Sequence, residues 1–312
     1  MRLLITGVSG LLGVNLAWEA LQAGHQVVGA TGSRPLWGTP FAVVQTDLTA
    51  DGAVEALWEQ TRPEAVIHTA ALANLEACEQ HPDIARRLNA EVPGRLAALA
   101  AQQGVPMIHI STDAVFDGQR GNYSEDDPPH PLSTYARTKL AGERAVAEAY
   151  PQAIVARVNF FGWSLSGKRS LAEWFLNNLQ DGRPMRGFTN VFFCPLLANH
   201  LARLLLEALA KDLHGLYHFT SPACLSKFAF GIALAKTFGY DHTLIRPSTV
   251  EEAGLTARRG HNLTLRSDKL TAALGHSLPT WEDGLAEFHS LYRRGYPAHI
   301  RRWAQTPRTP LR

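Results

Sequence analysis

The chain of 312 residues is poor in several things, and each lack narrows what it can be. It has three cysteines, Cys78, Cys194 and Cys224; they show no metal-ligand spacing and cannot all pair within the chain. Buried thiols in a reducing cytoplasm are therefore expected, with no metal site. No uninterrupted apolar run approaches the roughly 18 residues needed to span a bilayer, so no membrane partner is expected. Charge of one sign is also lacking: 30 Lys and Arg against 28 Asp and Glu leave a formal +2, which gives no broad electrostatic case for nucleic acid. No internal repeat is found. Arg2 precedes a largely apolar stretch reaching Ala20, but glycines, Asn15 and Glu19 interrupt it and no clear small-residue cleavage site follows. That segment reads as folded sequence and not as a leader.

Among the residues that are present, Tyr135-Ala136-Arg137-Thr138-Lys139 carries the most chemistry, because a Tyr and a Lys four apart on a helix share one face. A phenol has an ordinary pKa of about 10, and an adjacent ammonium lowers it by favouring the phenolate. Tyr135 is thus a candidate general acid or base tuned by Lys139. Alone, the same spacing is more often an exposed aromatic beside an exposed cation. A second motif changes its weight. Gly7-Val8-Ser9-Gly10-Leu11-Leu12-Gly13 follows the apolar run Leu3-Leu4-Ile5 and opens the amphipathic stretch Leu11 to Ala23. In this strand, turn and helix, Gly7 permits the turn, Gly10 lets a diphosphate approach the backbone, and Gly13 allows close helix–strand packing.

Short β-rich runs then alternate with helical periodicity. Strands are expected at 26–31, 42–46, 65–71, 105–112 and 153–159, and helices near 52–60, 82–103 and 133–150. Such alternation predicts an α/β fold with a doubly wound parallel sheet, whose ligands sit beyond the carboxyl ends of the strands. Ser111-Thr112 and Asn159 fall at such ends. Beyond Asn159 the pattern predicts a loop and helix over 162–185, a helix over 196–211, a strand over 216–220, a helix over 226–238, a short strand over 244–247, and mixed loop and helix over 261–292. The expected division is a Rossmann domain of residues 1–158 plus about 189–212, and a smaller α/β substrate-binding domain of about 159–188 plus 213–298. From Tyr296 onward prolines and arginines dominate, including Arg301, Arg302, Arg308 and Arg312, and residues 299–312 are expected to form a solvated tail.

These residues resemble the extended short-chain dehydrogenase/reductases, and within them the dTDP-4-dehydrorhamnose reductase family. The similar pieces are Thr6 to Gly13, His68-Thr69-Ala70-Ala71, Asn89, the block Ser111 to Gly118, and Tyr123 through Glu143. Farther on, Gly215 to His218, Arg258 to Asn262 and Leu278 to Trp281 are similar to its carboxyl-terminal signatures, so the resemblance runs over nearly the whole chain. It implies that Tyr135 is the general acid, Lys139 the lysine on the nicotinamide ribose, and Thr112 the hydroxyl that steadies the substrate carbonyl. A strand-end hydroxyl capping local backbone is the plainer account of Thr112. The resemblance also implies a cofactor set that takes in Ser9, Leu11, Leu12, Asp47, Leu48, Ala70, Ala71 and Asn159 beside Gly7 and Gly10. Asp47 has an alternative as a turn cap, and Asn89 one as a cap or interhelix bond. A substrate set of Asp113, Phe160, Arg258, Arg259 and Asn262 follows in the same way, the arginines and Asn262 suiting a nucleotide diphosphate.

Cofactor preference can be read from the second strand. NAD sites commonly place an acid there for the ribose hydroxyls, whereas a 2′-phosphate wants arginine or hydroxyl donors. This strand runs into Thr31-Gly32-Ser33-Arg34, with no acid, so NADP(H) is favoured and NAD(H) is acceptable. The chain departs from the rhamnose reductases where sugar is held: Ala114 stands at a usual Tyr, Phe160 near a usual Trp, and Asn190 to Leu196 replaces an acidic-Gln-x-Gly-x-Pro-Thr segment. The leading expectation is a cytoplasmic NADPH-dependent reductase of a nucleotide-activated 4-keto-sugar, with a homodimer compatible. A second reading is an epimerase or dehydratase on the same fold, of which the dehydratase falls behind, since Asp113 is followed by Ala114 and not by the Glu that water elimination uses. A third reading is a non-catalytic NADP-binding regulatory subunit, because the β subunit of methionine adenosyltransferase resembles the same family.

Overall fold

The apolar runs Leu3-Leu4-Ile5 and Ala65-Val66-Ile67, and the β-rich run 107–112, belong in a sheet covered on both faces, and that is where they lie. The computed structural model describes residues 1–253 and 260–306. Its first part runs β1 (Arg2–Thr6), α1 (Leu11–Gln22), β2 (Gln26–Thr31), β3 (Ala42–Gln45), α2 (Ala53–Thr61), β4 (Ala65–His68), α3 (Leu75–Gln80), α4 (Pro82–Arg86), α5 (Val92–Gln103), β5 (Met107–Thr112), α6 (Thr134–Ala149) and β6 (Ile154–Val158). The second part continues with β7 (Phe160–Phe161), α7 (Leu171–Gln180), β8 (Met185–Phe188), β9 (Phe192–Phe193), β10 (Leu196–Leu197), α8 (Ala198–Ala210), β11 (Gly215–Phe219), β12 (Leu225–Ser226), α9 (Lys227–Phe238), β13 (Ile245–Ser248), α10 (Asp268–Leu274), α11 (Trp281–Arg293) and α12 (Tyr296–Arg301).

Seven strands form one parallel sheet in the order β11-β6-β5-β4-β1-β2-β3. The strand order reverses between β1 and β4, which opens a crevice at their carboxyl ends. One apolar cluster lies on the α1 side, joining Leu12, Leu16 and Ala20 to α8 and to the second part. The other, with Leu57, Trp58, Leu96 and Val146, seats α2, α5 and α6 on the opposite face. The remaining short strands pair outside the main sheet: β7 with β10, β9 with β12, and β8 with β13.

Four expectations change. The strand near 216–220 was assigned to the substrate-binding part, yet β11 pairs with β6 as the edge of the main sheet, where it covers backbone groups that β6 would otherwise expose. The helix expected over 82–103 is α4 and α5 joined by a π-helical turn, Arg87–Glu91, and α3 was not anticipated. The start of the supposed tail is folded. Tyr296, Ile300 and Trp303 recur at helical spacing and are buried. Trp303 packs near Trp18 and edge-on to Phe41, and Tyr296 donates to Asn15 Oδ1 at 2.8 Å. Residues 307–312, with Arg308 and Arg312, lie outside the described residues. Finally, Cys194 and Cys224 form a disulfide, and Cys78 alone is a buried free thiol. Their separation of 30 residues gave no sign of this; the Ser221 N–H donating to the Cys194 carbonyl at 3.1 Å brings the two segments together. No helix among the described residues is long and apolar enough to cross a membrane.

Candidate active site

The glycine turn sits at the crevice. Gly7 has φ +69, and a Cβ there would fall 2.7 Å from the backbone of Ala70, at the end of β4. A Cβ on Gly13 would fall 2.3 Å from the Gly7 carbonyl oxygen. Gly10 is the N-cap of α1, with no side chain satisfying the first N–H groups and no acid in the first turn. That end therefore presents positive partial charge and free donors, the chemistry a diphosphate needs. Ser9, Leu11 and Ala71 are part-exposed around the turn, whereas Leu12 is buried. Ser33 and Arg34 follow β2 and are exposed. Sequence reasoning missed Arg169, which precedes α7 and whose pKa is lowered by burial and by the Arg34 charge. Neither guanidinium forms an ion pair among the described residues. Asp47 accepts from Thr49 N at 2.9 Å and Thr49 Oγ1 at 2.7 Å, the turn-capping alternative, and these bonds hold its carboxyl low. Leu48 beside it is buried.

The start of α6 is fixed by its cap. Ser133 Oγ accepts from Ala136 N at 3.2 Å, and Glu79 from α3 accepts from Thr134 N at 2.7 Å and from its hydroxyl at 2.6 Å. Tyr135 therefore sits in the first turn and Lys139 one turn on, the same face turned toward the end of β5. There the Thr112 hydroxyl lies near enough to the Tyr135 phenol to act on its proton affinity. Thr112 Oγ1 also donates to Asp113 Oδ1 at 3.1 Å and accepts from Ala114 N at 3.2 Å, so it caps local backbone as well. Asn159 Nδ2 donates to Asp113 Oδ2, and the Asn159 carbonyl accepts from Leu196 N at 3.0 Å. Asn89, in the π-helical turn, bonds Leu72 through both ends of its amide and donates to Thr138 Oγ1 at 3.0 Å, which is the interhelix role.

Electrostatics correct one expectation. Lys139 was to lower the Tyr135 pKa, but the phenol is pushed up to about 12, by burial first, with the nearby Thr112 hydroxyl opposing and the Asp113 and Cys78 charges adding. The Lys139 ammonium is aimed elsewhere: Nζ donates to the Ile110 carbonyl at 2.6 Å and lies 3.3 Å from His109 Nε2. Burial lowers this lysine to about 8. Asp113 is raised to about 6 by burial, against the bonds from Asn159 and Thr112 and the charge of Lys227, another residue not anticipated.

The substrate candidates separate. Asp113 is buried beside Thr112, and Phe160 is part-exposed on β7 next to Asn159. Asn262 spends its amide on the protein, donating to the Arg120 carbonyl at 3.3 Å and accepting from Thr264 Oγ1 at 2.8 Å. Arg258 and Arg259 lie outside the described residues.

A tyrosine and lysine one turn apart, facing a strand-end threonine across from a glycine-opened first helix, place the chain among the extended short-chain dehydrogenase/reductases. More narrowly, it belongs to the family described as RmlD substrate binding domain, whose pattern matches residues 1–294. These are dTDP-4-dehydrorhamnose reductase-like, NAD(P)-dependent oxidoreductases. A probable low-salt glycan biosynthesis reductase of Haloferax volcanii, Agl14, is 33% identical over 94% of this chain and 98% of its own. Methionine adenosyltransferase 2 subunit beta of Danio rerio is 30% identical over 98% of this chain and 94% of its own. Among solved structures, a dTDP-4-dehydrorhamnose reductase from Clostridium acetobutylicum superimposes with a TM-score of 0.79 at 26% identity, covering 94% of this chain and 100% of that one.

Proposed function

We propose that the protein is an NADPH-dependent reductase of a nucleotide-activated 4-keto-sugar, with Tyr135 as proton donor. The observation that carries this reading is the placement of Tyr135 at the start of α6 beside Thr112 at the end of β5, two hydroxyls on one side of the crevice. Bound there, a reduced nicotinamide supplies the hydride. The cradle of Gly7, Gly10 and Gly13 fits its diphosphate, and Ser33 and Arg34, with Arg169 nearby, fit a 2′-phosphate better than a bare ribose. Tyr135, raised to about 12, holds its proton at neutral pH and delivers it to the carbonyl oxygen as negative charge develops there. Thr112 steadies that oxygen. Lys139, an ammonium below about pH 8, is the donor for the cofactor's ribose. Asp113 and Phe160 border the sugar, and Ala114 leaves room where the rhamnose reductases carry a ring.

The full-length match to methionine adenosyltransferase 2 subunit beta supports a second reading, an NADP-binding regulatory subunit. Thermal shift and NADPH oxidation with a panel of 4-keto nucleotide sugars separate the two. Stabilisation by NADPH and by a sugar, with oxidation of NADPH, is expected. Stabilisation by the cofactor alone, with no carbonyl compound reduced, overturns the reductase reading in favour of the regulatory one.

A further inference from the structure

Behind Lys139, three polar side chains cross the middle of the sheet in register. β1 places Thr6 opposite His68, and β4 places His68 opposite His109. Thr6 Oγ1 lies 2.7 Å from His68 Nδ1, and the two imidazoles stack with centroids 5.4 Å apart. At the far end His109 Nε2 reaches Lys139 Nζ. Both rings are buried, and His109 Nδ1 and His68 Nε2 have no hydrogen-bond partner. Burying polar atoms that remain unpaired is costly. A strand that only had to pack would repeat the Ile108 and Ile110 that flank His109.

We propose that His109 is a positioning residue for the reaction: its neutral imidazole accepts a hydrogen bond from Lys139 at Nε2 and, together with the Ile110 carbonyl, fixes where the ammonium points. The inference rests on the reading of Lys139 as a cofactor-binding group. An ammonium has three donors and no acceptor. One proton goes to Ile110 and one to His109, which leaves one for the crevice. Because a charged lysine can only donate, His109 Nε2 must be bare and the ring proton must sit on Nδ1. Burial, then the charge of Lys139, keep His109 well below the ordinary histidine value, so the ring is a constant acceptor and not a competing cation. His68, held down to about 3 by burial and by Lys139, adds no charge behind it. Helix α6 leaves the approach open. A Cβ at Gly142 would already lie 3.3 Å from His109 Nε2, and 2.2 Å from the Asn89 carbonyl oxygen.

The groups facing Lys139 set the sign of the effect. From α6 this is Glu143, whose charge favours the ammonium and which is itself paired with Arg157. From β5 there is His109, and from β4 His68. Burial disfavours the ammonium and the His109 acceptor favours it. Removing that acceptor therefore moves the loss of the ammonium to lower pH.

The test is NADPH affinity of the whole protein, by fluorescence titration across neutral and alkaline pH, for the parent, His109→Gln and His109→Leu. The leucine variant should bind NADPH roughly tenfold more weakly near pH 8, with its alkaline midpoint lowered by about one unit, the shift equivalent to one tenfold change. His109→Gln, whose amide oxygen can accept, should recover most of both. An unmoved midpoint in His109→Leu, or glutamine and leucine variants equally impaired, overturns the inference. Histidine-labelled NMR of the parent gives a second check that needs no variant to fold: Nδ1 should carry the proton, and a ring protonated at Nε2 is fatal to the idea. Neither readout requires turnover. A shifted midpoint in a protein that reduces no carbonyl leaves His109 in place and removes the reductase reading; turnover with an unmoved midpoint does the opposite.

Discussion

The sheet-borne side of the site and the side carried by residues 160–197, 220–253 and 260–265 are assembled by different means. On the sheet side each candidate group is placed by the element it belongs to. Thr112 ends β5, Tyr135 and Lys139 lie one turn apart on α6, and Gly10 caps α1. On the other side, short segments hold one another across long separations. Phe192 bridges Asn262, Tyr123 bridges Leu265, β9 pairs with β12, and Cys194 is bonded to Cys224. On the proposed function, reaction chemistry would ride on regular elements of the sheet side, while the surface facing the substrate would be stitched from short segments, where replacement of residues disturbs the sheet least.

That contrast can be broken experimentally. The largest effect is expected on the sheet side. Tyr135→Phe keeps the ring and its packing but removes the transferable proton, so turnover should fall about 10²- to 10⁴-fold while NADPH binding and folding persist. Parent-like NADPH oxidation by this variant would remove Tyr135 as the acid. The next effect belongs to the stitched side: Cys194→Ser releases a link closing a loop of 30 residues, which chain entropy values at about 3–4 kcal/mol. Chemical denaturation of oxidised and reduced parent beside the variant measures it, and equal stabilities would show that the bond contributes nothing in solution.

Arg34→Ala tests whether the second strand selects the cofactor. Loss of a charge-assisted bond should weaken NADPH about 10- to 100-fold and leave NADH nearly unchanged; an equal loss for both would mean that Arg34 does not read the 2′-phosphate. Asp113 joins the two sides through Asn159, and its carboxyl gives a pH signature. Its folded value of about 6 lies above the ordinary 3.8, so the stability it contributes is fully present below about pH 3.8 and is lost as pH rises through about 6. The melting temperature of the parent minus that of Asp113→Asn should accordingly grow by a few degrees as pH is lowered from neutrality. A difference independent of pH would refute the raised value. The smallest expected change in binding is for Ala114→Tyr, which should alter which sugars are accepted while NADPH affinity stays within about twofold; a folded variant that loses the cofactor would show that Ala114 borders the wrong ligand.

Where short-range periodicity decides position, the sequence was enough. Spacing on a helix put Tyr135 and Lys139 on one face, and three glycines after an apolar strand located the turn. Where position depends on what packs behind a group, it was not. Lys139 was expected to lower the Tyr135 pKa because both lie on the same face, yet its ammonium turns to the Ile110 carbonyl and His109, and burial raises the phenol instead. Strand periodicity treats His68 and His109 as two more inward positions, and only the register of β4 on β5 stacks them.

By itself, then, the chain's order of residues determined most of the sheet strands and their intervening helices and the helix face that carries Tyr135 and Lys139, because those depend on neighbours within a turn or two of backbone, and their alternation pointed to the parallel sheet. Tertiary structure decided that β11 completes the sheet, that Trp303 closes over Trp18 and Phe41, that Cys194 meets Cys224, and that Arg169 comes near Arg34. Each of these depends on segments far apart in the chain, and on burial, which sets both the energy of a contact and the charge state of a side chain only after the core has formed around it.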